Sequence, residues 1–283
     1  MKGLTELAEK KRRHERIVMI TAYDYPSARV VERAGVDVVL AGDSAATTVL
    51  GYETTRAVSI DEMLMLTRAV RRGLTTTLLI GDLPFGTYES SDDLAVATAR
   101  RFIEIGCDAV KLEGAGPALP RVEALVAAGI AVMGHVGLAP QHARTPEEFR
   151  AKGRDAVSAA SIVNDAIALE GAGCTALVIE AVPANVTDVV MQSVSIPVIG
   201  IGAGAATDGQ VLVYHDLLGL LETRPAKFVK RYGMFAGSLT AAVRAYAEEV
   251  RAGAYPEPEH TYKMLPEEIE PFDARFRKDR PLR

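Results

Sequence analysis

A chain of 283 residues, 48% hydrophobic and 24% charged with a net charge of −5, has the make-up of a soluble globular protein and room for one large α/β domain. It has no basic stripe of the kind that binds nucleic acid, no apolar run near the length of a membrane span, and only two cysteines, too few for a disulfide framework. With no apolar leader core at the N-terminus, these exclusions lead us to expect a reduced, cytoplasmic compartment.

The first element is an N-terminal helix, with "EKKRRHER" (9–16) as its solvated face. Apolar, β-branched runs then alternate with segments of helical period. They are 17–24, 37–44, 76–84, 109–115, 130–137, 176–183, 197–204 and, more weakly, "VLVYHDLL" (211–218). Near-continuous apolar strands separated by helices require a parallel sheet covered on both faces. Eight such units suggest a closed (β/α)8 TIM barrel. An open doubly wound sheet is the alternative, disfavoured because no GxGxxG follows the first strand.

Three helix-to-strand junctions look alike, with Gly35, Gly106 and Gly173 at the residue just past a helix end. Each then enters a strand that finishes on a carboxylate: Asp43, Glu113 or Glu180. Cys107 and Cys174 each follow such a glycine and read as small core fillers. "GIGAG" (200–204) offers either a phosphate cradle or a tight turn. Asp208 beside it favours the turn. Residues 226–253 read as terminal helices with a break at Gly233 or Gly237. We expect one barrel domain over 1–260 and a polar C-terminal tail over 261–283.

In such barrels the C-terminal strand ends form the active-site face. Those ends here carry Asp24, Asp43 with Ser44, Asp82, Glu113 with Lys111, His135, Glu180 and His215. A single acid at a strand end is usually a helix cap. A cluster on one rim calls for chemistry. Within "DAVKLEGAG" (108–116), Lys111 and Glu113 point the same way, because side chains on a strand alternate.

Asp43, Asp82 and Glu113 supply oxygen ligands from three strands, suited to Mg2+ or to Mn2+ in its place. The alternative is salt bridging, but one nearby lysine cannot neutralise several converging acids. Lys111 and Ser44 could hold a substrate carboxylate, and Glu180 could serve as a general base. His135 is either a donor to a substrate oxygen or a satisfied core residue. Together these groups fit proton abstraction beside a carbonyl.

At these residues the sequence resembles the ketopantoate hydroxymethyltransferase family, from about "ITAYDY" (20–25) to "YPEPEH" (255–260). The landmarks are "AGDSAATTVLGYETT" (41–55), "RAVRRG" (68–73), "DLPFGTYE" (82–89), "VKLEG" (110–114), "GHVGLAPQ" (134–141), "IPVIGIGAGAATDGQVLVYHD" (196–216) and "KFVKRY" (227–232). The resemblance implies a Mg2+-dependent barrel enzyme acting through a metal-stabilised enolate. Such an enzyme transfers a hydroxymethyl group from 5,10-methylenetetrahydrofolate to 3-methyl-2-oxobutanoate. The product is 2-dehydropantoate, a precursor of pantothenate and coenzyme A. It implies Asp43, Asp82 and Glu113 at the metal, directly or through water. It places Asp43, Ser44, Asp82 and Lys111 on the oxo acid, Glu180 as the proton acceptor and His135 in the active site. It also implies a homo-oligomer, often a decamer.

The chain departs from the family after "GLAPQ". His142–Ala143–Arg144 stands for "SVN", Glu147–Glu148 for a glycine pair and Lys152 for glutamine. Rim loops often set substrate choice. A paralogue using the same chemistry on a different 2-oxo acid is therefore the second reading. A non-catalytic metal-binding scaffold is the third, and Glu180 with Lys111 argues against it.

Overall fold

The computed structural model of the chain describes residues 2–143, 145, 148–221 and 224–276. Its elements run α1 Lys2–Arg12, β1 Ile17–Thr21, α2 Tyr25–Arg33, β2 Val38–Ala41, α3 Ala45–Thr48, α4 Ile60–Gly73 and β3 Leu78–Asp82. They continue with α5 Asp92–Glu104, β4 Ala109–Lys111, α6 Leu119–Ala127, β5 Val132–Gly137, α7 Ala156–Gly171, β6 Ala176–Glu180 and α8 Ala184–Ser193. The last are β7 Val198–Ile201, β8 Gly209–Leu212, α9 Tyr214–Leu218, α10 Phe235–Ala252 and α11 Pro266–Phe276. The eight strands are all parallel and close into a barrel, with β8 pairing β1. The expected (β/α)8 architecture is therefore present.

Alternation decides what fills the barrel. Ile17, Met19, Val38, Leu40, Ile80, Ala109, Met133, Ala176, Val178, Ile199 and Val211 point inward and pack together as one buried cluster. The outward residues of the same strands meet the helices in a second, larger cluster. Each fully buried aliphatic side chain contributes roughly 1.5–3 kcal/mol.

Leu7 of α1 joins the inner cluster, so α1 plugs the N-terminal end of the barrel. The basic run on α1 is accordingly not a wholly solvated face. Lys10 pairs with Asp37 at 2.8 Å, and Lys11 with Asp208 at 3.1 Å while donating to Ile196 O. Arg12 and Arg13 remain exposed.

Gly35, Gly106 and Gly173 follow α2, α5 and α7 with φ of 73°, 98° and 98°, as their helix-end positions require. No helix separates β7 from β8, so "GIGAG" leads into a turn and offers no helix N-terminus. The predicted eighth run ends earlier than expected: the strand stops at Leu212, and Tyr214–Leu218 is helical. Residues 226–233 stay outside helices, and α10 runs through Gly237.

The chain divides into two compact units between Gly233 and Met234. The first is the barrel. The second holds α10, with Phe235, Leu239, Val243, Tyr246 and Val250 exposed at helical spacing, and α11 within the stretch read as a polar tail. Among the described residues, no helix is long and apolar enough to cross a membrane.

Candidate active site

Strand register raises the site out of the barrel core like a staircase. Inward positions continue from Ile80 to Asp82, from Ala109 to Lys111 and Glu113, from Met133 to His135, and from Val178 to Glu180. Asp82 lies beside Lys111, Lys111 beside Met133, and His135 beside Val178. Asp82 and Lys111 thus share one level, Glu113 and His135 stand one level above them, and Glu180 one level above that. Asp43, Ser44, Asp82, Lys111, Glu113, His135 and Glu180 all line one cavity of about 330 Å3 at the C-terminal mouth.

The contacts follow from that placement. Lys111 Nζ lies 2.8 Å from Asp82 Oδ1 and 3.5 Å from Glu113 Oε1. His135 stands between two carboxylates, with Nδ1 3.4 Å from Glu113 Oε1 and Nε2 3.3 Å from Glu180 Oε2. Neither ring nitrogen makes an aligned hydrogen bond, so these are ion contacts. The Asp43 backbone N–H donates to Asp82 Oδ2 at 3.1 Å, and Tyr23 Oη lies 2.8 Å from Ser44 Oγ.

Burial and charge act against each other here. Burial alone would raise the Glu113 carboxyl, but Lys111, His135 and the Gln141 N–H outweigh it and bring its pKa down to about 2. Burial would lower His135, yet Glu113 and Glu180 raise its pKa to about 9. Lys111 is likewise held protonated by Asp82, Glu113 and Asp43 despite its burial. For Asp43 the balance goes the other way. Burial, then the charges of Asp82 and Glu113, push it well above the usual carboxylate range. Asp82 is also raised, chiefly by burial. At Asp43 the repulsion from Asp82 and Glu113 exceeds the attraction of Lys111.

Among the described residues, no three His, Cys, Asp or Glu side chains converge tightly enough to form a ready metal site. A closed structural site is thus absent from that set. The donor chemistry does fit a hard divalent ion. The carboxylates of Asp43, Asp82 and Glu113 are buried, and Asp82 and Glu113 share one lysine. Mg2+ is commonly held by one or two carboxylates, with water and substrate oxygens completing its shell.

Two of the expected rim residues do other work. Asp24 caps α2 in a reciprocal box with Ser27. His215 packs its ring against Tyr23 and Tyr214, and its neighbour Asp216 lines the cavity instead. Cys107 and Cys174 are buried, and burial pushes both thiols up to about 12, as inert core fillers require.

Sequence patterns missed Gln141 and Tyr88. Gln141 is wholly buried and touches both Asp43 and Glu113. A loop amide has no periodic or charge signature, so only its place in "GLAPQ" marks it. In the divergent stretch, Phe149 lines the cavity, His142 meets Phe85 edge-on, and the Lys152 N–H donates to Ala181 O. Arg144 and Glu147 lie outside the described residues.

Solved structures share the fold at low identity. Phosphonopyruvate hydrolase complexed with oxalate and Mg2+ matches at a TM-score of 0.61 and 16% identity, covering 98% of this chain and 97% of that one. Oxaloacetate acetylhydrolase with product oxalate matches at 0.59 and 14%, covering 95% and 91%. Sequence relatives are much nearer. The 3-methyl-2-oxobutanoate hydroxymethyltransferase of Oleidesulfovibrio alaskensis is 50% identical, covering 89% of this chain and 88% of the relative. That of Moorella thermoacetica is 49% identical, covering 92% and 97%. The mitochondrial enzyme 1 of Arabidopsis thaliana is 47% identical, covering 97% and 82%. The family model for ketopantoate hydroxymethyltransferase matches residues 2–258. With these matches lying over the barrel and its acidic mouth, the chain belongs to the ketopantoate hydroxymethyltransferase family of enzymes.

Proposed function

We propose that the protein transfers a hydroxymethyl group from 5,10-methylenetetrahydrofolate to 3-methyl-2-oxobutanoate, giving 2-dehydropantoate with the help of Mg2+. The observation that carries this reading is the placement of Glu180 on the same cavity as the Asp43, Asp82, Glu113 and Lys111 cluster. A base and an anion-receiving, cation-binding group then face one substrate. Family membership supplies the substrates.

Asp43, Asp82 and Glu113 would hold Mg2+, directly or through water. The bound cation would draw charge from the substrate carbonyl oxygen and so acidify the neighbouring C–H. Lys111 and Ser44 receive the substrate carboxylate. Glu180, 16% exposed and so open to the cavity, accepts the C3 proton. His135, as the imidazolium 3.3 Å from Glu180 Oε2, fixes the base against the cavity wall. The carbanion then forms a C–C bond to the one-carbon unit of the folate. The two C–N bonds to the folate break, water supplies the hydroxyl, and its other proton and the one taken by Glu180 pass to the two folate nitrogens as tetrahydrofolate leaves.

Steady-state assay of a panel of 2-oxo acids, with methylenetetrahydrofolate and with or without Mg2+, tests this reading. Turnover is expected with 3-methyl-2-oxobutanoate, and only with the cation. Turnover confined to another oxo acid would assign the divergent 142–152 loop a different specificity.

A further inference from the structure

Gln141 is a polar side chain with no measurable exposure, placed between the carboxylates of Asp43 and Glu113. Every hydrogen-bonding group it carries on that side is used. Its backbone N–H donates to Glu113 Oε2 at 2.9 Å. Its side-chain Nε2 donates to Asp43 Oδ2 at 3.0 Å and to Leu83 O at 2.9 Å. Its Oε1 accepts from Tyr88 Oη at 2.8 Å. Tyr88 Oη in turn accepts from the Glu113 N–H at 3.3 Å, so the ring of contacts closes on itself.

We propose that Gln141 is a positioning residue for the cation site: it fastens one oxygen each of Asp43 and Glu113, and Tyr88 fixes Gln141. That role presupposes the divalent-cation site proposed above.

The chemistry needs glutamine. Two amide protons and one acceptor are required on one planar group, in the order the partners impose. Glutamate would offer no donor and would add a charge facing Asp43 and Glu113. Asparagine falls one methylene short, and methionine fills the volume without donating. With Oδ2 of Asp43 and Oε2 of Glu113 held, the two carboxylates cannot swing apart under their mutual repulsion. Their arrangement is then fixed in the fold and need not be imposed by the incoming cation. The same residue anchors the start of the loop that departs from the family pattern. Arg56 donates to Gln141 O at 3.0 Å while its guanidinium lies 3.7 Å from the Phe85 ring centroid.

Titration of the full-length protein with Mn2+, read by electron paramagnetic resonance, tests this, with and without 3-methyl-2-oxobutanoate. Wild type, Gln141→Met and Tyr88→Phe are compared well below their melting temperatures. Gln141→Met is expected to weaken Mn2+ binding about 10- to 100-fold, the usual effect of removing a group that orients a metal ligand. Tyr88→Phe keeps the ring and its packing, and a smaller loss in the same direction is expected. Unchanged affinity in both variants, with only the melting temperature lowered, would make Gln141 a merely structural amide and overturn the proposal. If Gln141→Met does not fold, Tyr88→Phe decides alone. Wild type that binds no Mn2+ in either condition would overturn the cation site itself, a failure visible without any variant.

Discussion

Lys111 Nζ lies 2.8 Å from Asp82 Oδ1 on the neighbouring strand and 3.5 Å from Glu113 Oε1 just past the end of its own. The nearer partner is the cross-strand one because Asp82 and Lys111 are in register, whereas Glu113 sits one level up. All three are buried, so the lysine compensates two desolvated carboxylates. Lys111→Met removes that compensation. Breaking a buried ion pair from one side costs about 3–5 kcal/mol. Urea unfolding of the metal-free protein should show a loss of that size. An unchanged midpoint would mean that the acids do not depend on the lysine for their charge.

Glu180, the proposed base, is held by its strand neighbours. Gly137 has a φ of 91°, and a Cβ added there would meet the backbone of Glu180 and the side chain of Val182. The Leu138 N–H also donates to Glu180 O at 2.9 Å, and Ala181 just beyond has a φ of 50°. Gly137→Ala must therefore push Glu180 out of place. A displacement near 1 Å costs on the order of 100-fold in rate. We expect kcat to fall by about that factor while Mn2+ affinity stays at the wild-type value, since Asp43, Asp82 and Glu113 lie on or after other strands. Equal kcat in the variant would show that this contact does not place the base.

Glu32 makes a pH prediction away from the site. Its limited burial would raise the carboxyl. Hydrogen bonds from Thr77, Thr76 and Thr75 outweigh that and lower its pKa to about 2. The group is thus depressed in the folded state. Its stabilisation is present above the ordinary carboxylate range, near pH 4.5, and is lost as pH falls towards 2. Melting temperatures of wild type and Glu32→Gln should differ at pH 6 and converge as the pH drops through that window. A constant difference would contradict the assigned role.

The strands were legible because inward and outward faces are both buried, which leaves near-continuous apolar runs. The run at 211–218 misled for the same reason. It is apolar beyond the strand, and nothing in its composition marks where Leu212 gives way to helix at Tyr214. The acids at the mouth were legible as strand-end residues, and the structure gathers Asp43, Asp82, Glu113 and Glu180 on one cavity. Asp24 has the same local look, but Ser27 three residues later is the capping signal that distinguishes it. Gln141 was not legible. Its partners Leu83 and Asp43 are 58 and 98 residues away in sequence, and only the closed barrel brings them together.

The central claim is that Glu180 removes a proton from an oxo acid held at the acidic mouth. Proton NMR in deuterated water, with 3-methyl-2-oxobutanoate and Mg2+ but no folate, tests it most directly. Wild type should exchange the C3 proton for deuterium, and Glu180→Gln should lose that exchange while still binding the oxo acid. Exchange at the wild-type rate in Glu180→Gln would contradict the assignment of the base.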